Sequence, residues 1–228
     1  MPNKKNFYEH QYLSGETKGP YWYQLLSQYV TDREAVTVEL IQSYIPRPTH
    51  YLDVGCGEGK LVAKVAQFSK QATGIDIATN RLEIAKKQHT AQNLRFKTSD
   101  FEEKLLFANN SFDAVSCLSV LEYVFDPYFS MSELYRITKP NGYLVVSVPN
   151  IAFLPERLKL LLGYLPSWPE AEGWQGGRLH AFTCDSLRKL GKETGFKVKQ
   201  TTGSGFLQRI RSKYPALLCG DCICVFQK

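Results

Sequence analysis

The stretch Asp53-Val54-Gly55-Cys56-Gly57-Glu58-Gly59 constrains the fold of this chain more than any other. Three glycines at alternate positions let the backbone turn tightly and leave no side chain between it and a ligand. The apolar run at 51–54 reads as a short buried strand, and 61–68 repeats its apolar residues at helical spacing. The turn therefore joins a strand to a helix whose first N–H groups lack partners within the helix. Such a unit belongs in a parallel sheet with crossover helices, the turn lying at the carboxyl end of its strand.

The same alternation fills residues 31–149. Helical patterns cover 31–44, 80–89 and 127–137, and strand patterns cover 72–75, 94–97, 112–116 and the β-branched 142–148. Strands alternating with helices imply βαβ units with helices on both faces of the sheet, and right-handed crossovers leave few topologies open. After Pro149 the texture changes: 151–179 is rich in Leu, Pro, Gly and Trp, with a basic helical piece at 156–162. A helix at 185–194 follows, with Thr183 placed to cap it. Then come a strand at 196–201, a glycine turn at 203–205, an irregular or helical 206–218 and a last strand at 222–226. No helix of normal length separates the late strands, so an antiparallel edge is expected there.

The chain has 228 residues, 43% hydrophobic and 22% charged, which fits one globular domain with a full core. That make-up excludes a disordered tail, a collagen-like fibre and a disulfide mini-protein. The expectation is one domain over 1–228, with an N-terminal arm at 1–30 and a lid-like insertion at 151–180. The charge balance, 28 Lys and Arg against 22 Asp and Glu, is a scattered basic excess that permits an anionic partner without demanding one. Six cysteines show no spacing of a disulfide framework; read as free thiols behind an N-terminus without an apolar leader, they point to a reducing cytoplasm. Cys219, Cys222 and Cys224 offer three thiolates but no nearby fourth ligand, so a core strand is preferred and no metal site is expected. The longest greasy stretch, 158–165, is far short of a membrane span, and membrane contact is not expected.

What the glycine turn holds follows from charge. Asp76 ends the next strand about 20 residues beyond the first glycine, where a carboxylate accepts from both ribose hydroxyls of a nucleoside. A dinucleotide site wants a small sixth residue, counted from Gly55, so that a pyrophosphate can approach; here that residue is Lys60, and the third glycine comes one residue early at Gly59. Asp53 and Glu58 place negative charge where a pyrophosphate would sit. The mismatch favours a cationic ligand such as S-adenosylmethionine (SAM), with its sulfonium and ammonium groups.

The ordered set of this turn with Gly74-Ile75-Asp76-Ile77, Ser99-Asp100-Phe101, Phe112-Asp113-Ala114-Val115 and Lys139-Pro140-Asn141-Gly142 resembles the motifs of class I SAM-dependent methyltransferases over about residues 45–150. Leu118-Ser119-Val120-Leu121-Glu122-Tyr123-Val124, Val148-Pro149-Asn150 and Leu179-His180-Ala181-Phe182-Thr183 are similar to the branch holding methionine biosynthesis protein W-like and ubiquinone/menaquinone-type enzymes. The resemblance implies a Rossmann-like α/β sandwich with a mostly parallel seven-stranded sheet in the order 3-2-1-4-5-7-6. It implies that Gly55, Cys56, Gly57 and Gly59 line the methionine part of SAM, with Asp53 acting near its ammonium. Asp76 would hold the ribose, Ile77 would pack on the adenine, Asp100 would accept from its amine, and Phe101 would lie beside the ring. The backbone around Cys117 and Leu118 would face the amino-acid end.

Methyl transfer from a sulfonium draws much of its rate from alignment, and a general base is needed only for an acceptor proton of high pKa. Cys117-Leu118-Ser119-Val120 stands where base methyltransferases acting on exocyclic amines carry their Pro-Pro motif, and no RNA-binding module is appended, so no nucleic-acid partner is expected. Glu122-Tyr123 replaces the Glu-His pair of the quinone-type relatives. The expected acceptor is a small or medium-sized metabolite methylated on oxygen. His180, after the insertion, is the candidate base, with a purely structural bond to the backbone as its other reading. His10 in the arm is a weaker candidate, and His50 and His89 read as bland. In the insertion, Phe153, Leu154, Trp168, Trp174 and Gly176-Gly177 suggest a hinged apolar lid. The other functional reading is a methyltransferase-fold protein that partners another enzyme, as the methionine biosynthesis protein W group does.

Overall fold

The computed structural model describes residues 32–165, 178–204 and 213–228. The arm at 1–30, with His10, lies outside them, as do Trp168, Trp174 and Gly176-Gly177 of the insertion. Helix α1 (Arg33–Tyr44) is capped by Asp32, whose carboxylate accepts from Glu34 N, and buries Val36, Leu40 and Ile41. Then follow β1 (His50–Val54), α2 (Lys60–Ala66), β2 (Gln71–Asp76), α3 (Thr79–Gln88), β3 (Leu94–Thr98), β4 (Phe112–Leu118), α4 (Pro127–Ile137) and β5 (Thr138–Pro149). The chain continues through α5 (Leu154–Leu161), α6 (Cys184–Glu193), β6 (Lys197–Ser204), α7 (Pro215–Leu218) and β7 (Asp221–Gln227).

The sheet order is β3-β2-β1-β4-β5-β7-β6. Strands β1 to β5 pair in parallel, whereas β7 is antiparallel to both β5 and β6. Order and antiparallel edge are those expected. The order reverses between β1 and β4, so their carboxyl ends open a crevice, the usual ligand position in such sheets. One face of the sheet packs Val36 and Leu40 of α1, Val62 and Val65 of α2 and Leu82 of α3. The other packs Met131, Leu134 and Ile137 of α4 and Leu187 of α6. The central strands are apolar on both faces, as parallel strands covered by helices must be.

Three sequence expectations change. Strand β6 continues past the expected 201 through Gly203 and Ser204, which pair with Cys222 and Asp221 of β7 where a glycine turn is expected. Strand β5 begins four residues earlier than the β-branched run, because Asn141 adopts φ 62° and bulges the strand. Phe112 pairs with Thr138 while Ala114 pairs with Tyr143. The reading of six free thiols is corrected as well: Cys184 and Cys222 form a disulfide, their Cα atoms 5.4 Å apart. Cys56, Cys117, Cys219 and Cys224 are free and buried. The bond joins the first residue of α6 to the strand beneath it, a contact across layers that sequence spacing does not reveal. It also removes part of the thiol argument for a reducing compartment. No helix among the described residues is long and apolar enough to cross a membrane.

Candidate active site at the carboxyl edge of the sheet

The glycine turn is a left-handed path: Gly55, Gly57 and Gly59 have φ of 73°, 52° and 78°. Side chains are barred from it by position as well. A Cβ at Gly55 would collide with Val120, and one at Gly59 would stand 2.7 Å from the Phe96 ring. The turn is tied to the end of β2. Gly55 N and Cys56 N donate to Ile75 O at 2.8 and 3.0 Å, and Gly57 N donates to Asp76 Oδ2 at 2.8 Å. The other oxygen of Asp76 accepts from Ala78 N at 2.8 Å. Asp76 thus pins the turn on one side and opens the next loop on the other. Cys56 is nearly buried, its sulfur packed over Gly74.

Behind the turn, Asp53 is 3% exposed. Its carboxylate accepts from the Ser116 hydroxyl, and Ser116 Oγ lies 2.6 Å from the Tyr51 hydroxyl. Burial pushes the Asp53 carboxyl up to about 7; the Ser116 bond works against this rise, and Glu34 and Asp76 add to it. Glu58, by contrast, is paired with Arg81 of α3 at 3.8 Å, and the Arg81 guanidinium stands beside Gly57. Half of the negative charge inferred from the sequence at this turn is therefore offset, and Asp53 is the acidic group that remains.

The structure brings most of the expected cofactor residues to this edge. Val54 pairs with Cys117 across β1 and β4, and Leu118 follows half-buried. Ile77 is half-buried at the end of β2. Ser99 N donates to Asp76 O at 3.0 Å, so Asp100 emerges from β3 next to Asp76. Asp100 also takes Glu102 N at 2.9 Å, the turn-capping role open to any aspartate there. Phe101 is 7% exposed and packs with Leu105 and Phe112 in the larger apolar cluster. That is a core position, taken because the residue after Asp100 turns down onto α4.

The opposite lip is the loop after β4. Glu122 is 1% exposed, and among the described residues neither carboxylate oxygen has a hydrogen-bond partner. Burial lifts its carboxyl to about 7, against the pull of Arg178 and Arg33. Its carbonyl accepts from Leu179 N at 2.7 Å and His180 N at 3.1 Å, so the returning end of the insertion is stapled to this loop. The His180 ring lies with Nε2 3.2 Å from Phe125 O. A carbonyl only accepts, so Nε2 carries the proton and Nδ1 is the nitrogen left over. His180 thus reaches the mouth but also makes the backbone bond of its structural reading. His50 and His89 lie elsewhere, at the start of β1 and the end of α3. Beside the mouth, α5 leaves Leu158 and Leu161 exposed. Among the described residues no group of three or more His, Cys, Asp or Glu is arranged for a metal ion.

Comparison with known proteins agrees with this geometry. Residues 52–146 match the family model described as "Methyltransferase domain". A ubiquinone biosynthesis O-methyltransferase from Colwellia psychrerythraea is 32% identical over 126 residues, 54% of this chain and 51% of that protein. One from Haemophilus ducreyi is 40% identical over 106 residues, covering 43% and 44%. The chain therefore spans about half the length of the curated relatives it matches. Among solved structures, a SAM-dependent methyltransferase from Mesorhizobium loti aligns with TM-score 0.66 and 15% identity over 86% of this chain and 97% of that one. A SAM-dependent methyltransferase from Thermotoga maritima, described as a possible histamine N-methyltransferase, aligns with TM-score 0.64 and 17% identity over 98% and 99%. Residues 52–146 thus match a methyltransferase domain, and the chain shares its fold with solved SAM-dependent methyltransferases.

Proposed function

We propose that this protein transfers the methyl group of SAM to an oxygen of a small or medium-sized metabolite. The observation that carries the reading is the bare left-handed turn pinned by Asp76, with the buried carboxyl of Asp53 behind it. The fit to a cationic nucleoside is chemical. Each Asp76 oxygen uses one lone pair on a backbone N–H and keeps another for a ribose hydroxyl. Asp53 offers charge to an ammonium, directly or through water. Gly55, Gly57 and Gly59 leave backbone along the methionine part, Ile77 flanks the adenine, and Asp100 accepts from its amine. The ring of Phe101 is left to the core.

Bound SAM supplies a methyl group on a positively charged sulfur, and the S–C bond breaks as the acceptor O–C bond forms. The chain supplies alignment, worth about 7–11 kcal/mol in favourable cases. The proton of a hydroxyl acceptor goes to a group at the mouth, His180 through Nδ1, with the buried carboxyl of Glu122 on the same lip. The O-methyltransferase names of the relatives support an oxygen acceptor. Isothermal titration with SAM and with its demethylated product tests the cofactor half of this reading; micromolar binding is expected of both. Incubation with methyl-labelled SAM and cell extract tests the other half, labelled small molecules being the expected product. Binding without turnover, together with a co-purifying protein, would instead point to the partnering function.

A further inference from the structure

Tyr51, Ser116 and Asp53 form a buried chain that no step above has used. Tyr51 and Ser116 are both 0% exposed. Asp53 stands directly across from Ser116 between β1 and β4, and Tyr51 stands across from Ala114. Residues two apart share a strand face, so Tyr51 and Asp53 flank the same serine. The small Ala114 side chain leaves the room a phenol needs. A serine hydroxyl has one proton. Ser116 gives it to Asp53, so the 2.6 Å contact with Tyr51 is a bond in which the phenol donates. The relay has one direction, from Tyr51 to Ser116 to the carboxylate behind the glycine turn.

We propose that Tyr51 and Ser116 are positioning residues for SAM capture: their relay holds Asp53 ready to ionise against the positive end of the ligand and sets the pH below which the ligand is released. The inference rests on the reading of Asp53 given above. Two carboxylates facing Asp53 oppose its ionisation, that of Glu34 on α1, itself bonded to Lys64 of α2, and that of Asp76 on β2. The neighbouring thiols of Cys56 and Cys117 are kept neutral by burial and by Asp53 and add no charge. Burial opposes the ionisation of Asp53 most. Against these, donation from Ser116 favours the charged form, and donation from Tyr51 polarises Ser116 into a better donor. A valine–phenylalanine pair would fill the same space and leave Asp53 with its proton at neutral pH.

SAM titrations between about pH 5.5 and pH 8.5 on the wild type, Ser116→Ala, Ser116→Thr and Tyr51→Phe test this. The acid limb of SAM affinity should move alkaline by about one pH unit in Ser116→Ala, making binding about tenfold weaker near pH 6.5 and little changed near pH 8.5. Tyr51→Phe should move it by about 0.3 unit in the same direction, and Ser116→Thr, which keeps the hydroxyl, should leave it in place. The amino group of SAM titrates on the alkaline side and identically for all four proteins, so it does not enter the comparison. In the wild type near pH 6.5, binding heats in buffers of different ionisation enthalpy should show proton release from the protein. Coincident acid limbs in all four proteins, or wild-type binding without proton release, would overturn the inference. Should Ser116→Ala fail to fold, the Tyr51→Phe limb and the wild-type proton release decide it. Failure of the wild type to bind SAM at any pH would be a different result, sinking the function itself.

Discussion

Removing the Asp76 carboxylate should separate its two jobs, holding the turn and holding the ligand. In the folded chain its oxygens accept from Gly57 N and Ala78 N, each at 2.8 Å. Bonds to a charged acceptor contribute about 1.5–3 kcal/mol net each, but Asp76 is half-exposed and water can replace part of that. Asp76→Ala should therefore cost about 2–3 kcal/mol of stability, a fall in Tm of about 5–10 °C for a chain of this length. SAM affinity should fall further, because the variant loses both ribose bonds and a turn already set for binding. About 3 kcal/mol, or more than 100-fold in Kd, is expected. Asp76→Asn keeps one acceptor oxygen and should lose about half as much in each measurement. Thermal melting and isothermal titration with SAM read the two effects separately. An Asp76→Ala protein that melts early yet binds SAM within about threefold of the wild type would show that Asp76 serves only the turn, and the nucleoside assignment would be wrong.

Gly191→Ala should destabilise the protein by about 1–3 kcal/mol in urea melts, although alanine favours helices, because the added methyl would stand 2.7 Å from Cδ1 of the Phe226 ring. Gly55→Ala should abolish SAM binding at micromolar ligand, since the position needs φ 73° and a Cβ there strikes Val120. Glu122 holds its proton more tightly in the folded chain, near 7 against about 4.5 in a free carboxyl. Its contribution to stability is therefore most favourable at low pH and declines as pH rises from about 4.5 to about 7, by up to about 3 kcal/mol. Glu122→Gln should match the wild type near pH 4.5 and exceed it by up to that amount at pH 8 in urea melts; equal stabilities at both pH values would contradict this.

The central sheet was legible because buried parallel strands are short apolar runs and the helices between them keep a different period. Asp53, Gly55, Gly57 and Asp76 were legible for a related reason: a turn that bares its backbone admits few residue types. Partners across layers were not. The Cys184–Cys222 bond, the pairing of Glu58 with Arg81 and the Tyr51–Ser116 relay each depend on register or on which helix covers which strand. Ser116 carries a faint signal, a hydroxyl inside a strand buried on both faces. The burial of Phe101 was not legible, because an aromatic residue after a loop aspartate suits a core as well as a ring partner. Glu122 is the reverse case, a charged residue in a loop whose burial only the fold reveals.

The most direct test of the account is a crystal structure of the protein with the demethylated product of SAM bound. The account predicts the nucleoside across the carboxyl ends of β1 and β2, its ribose hydroxyls on Asp76 and its amino-acid end over Gly55 toward Cys117. Density for the ligand at another surface, or a ribose that leaves Asp76 bonded only to Gly57 and Ala78, would contradict it.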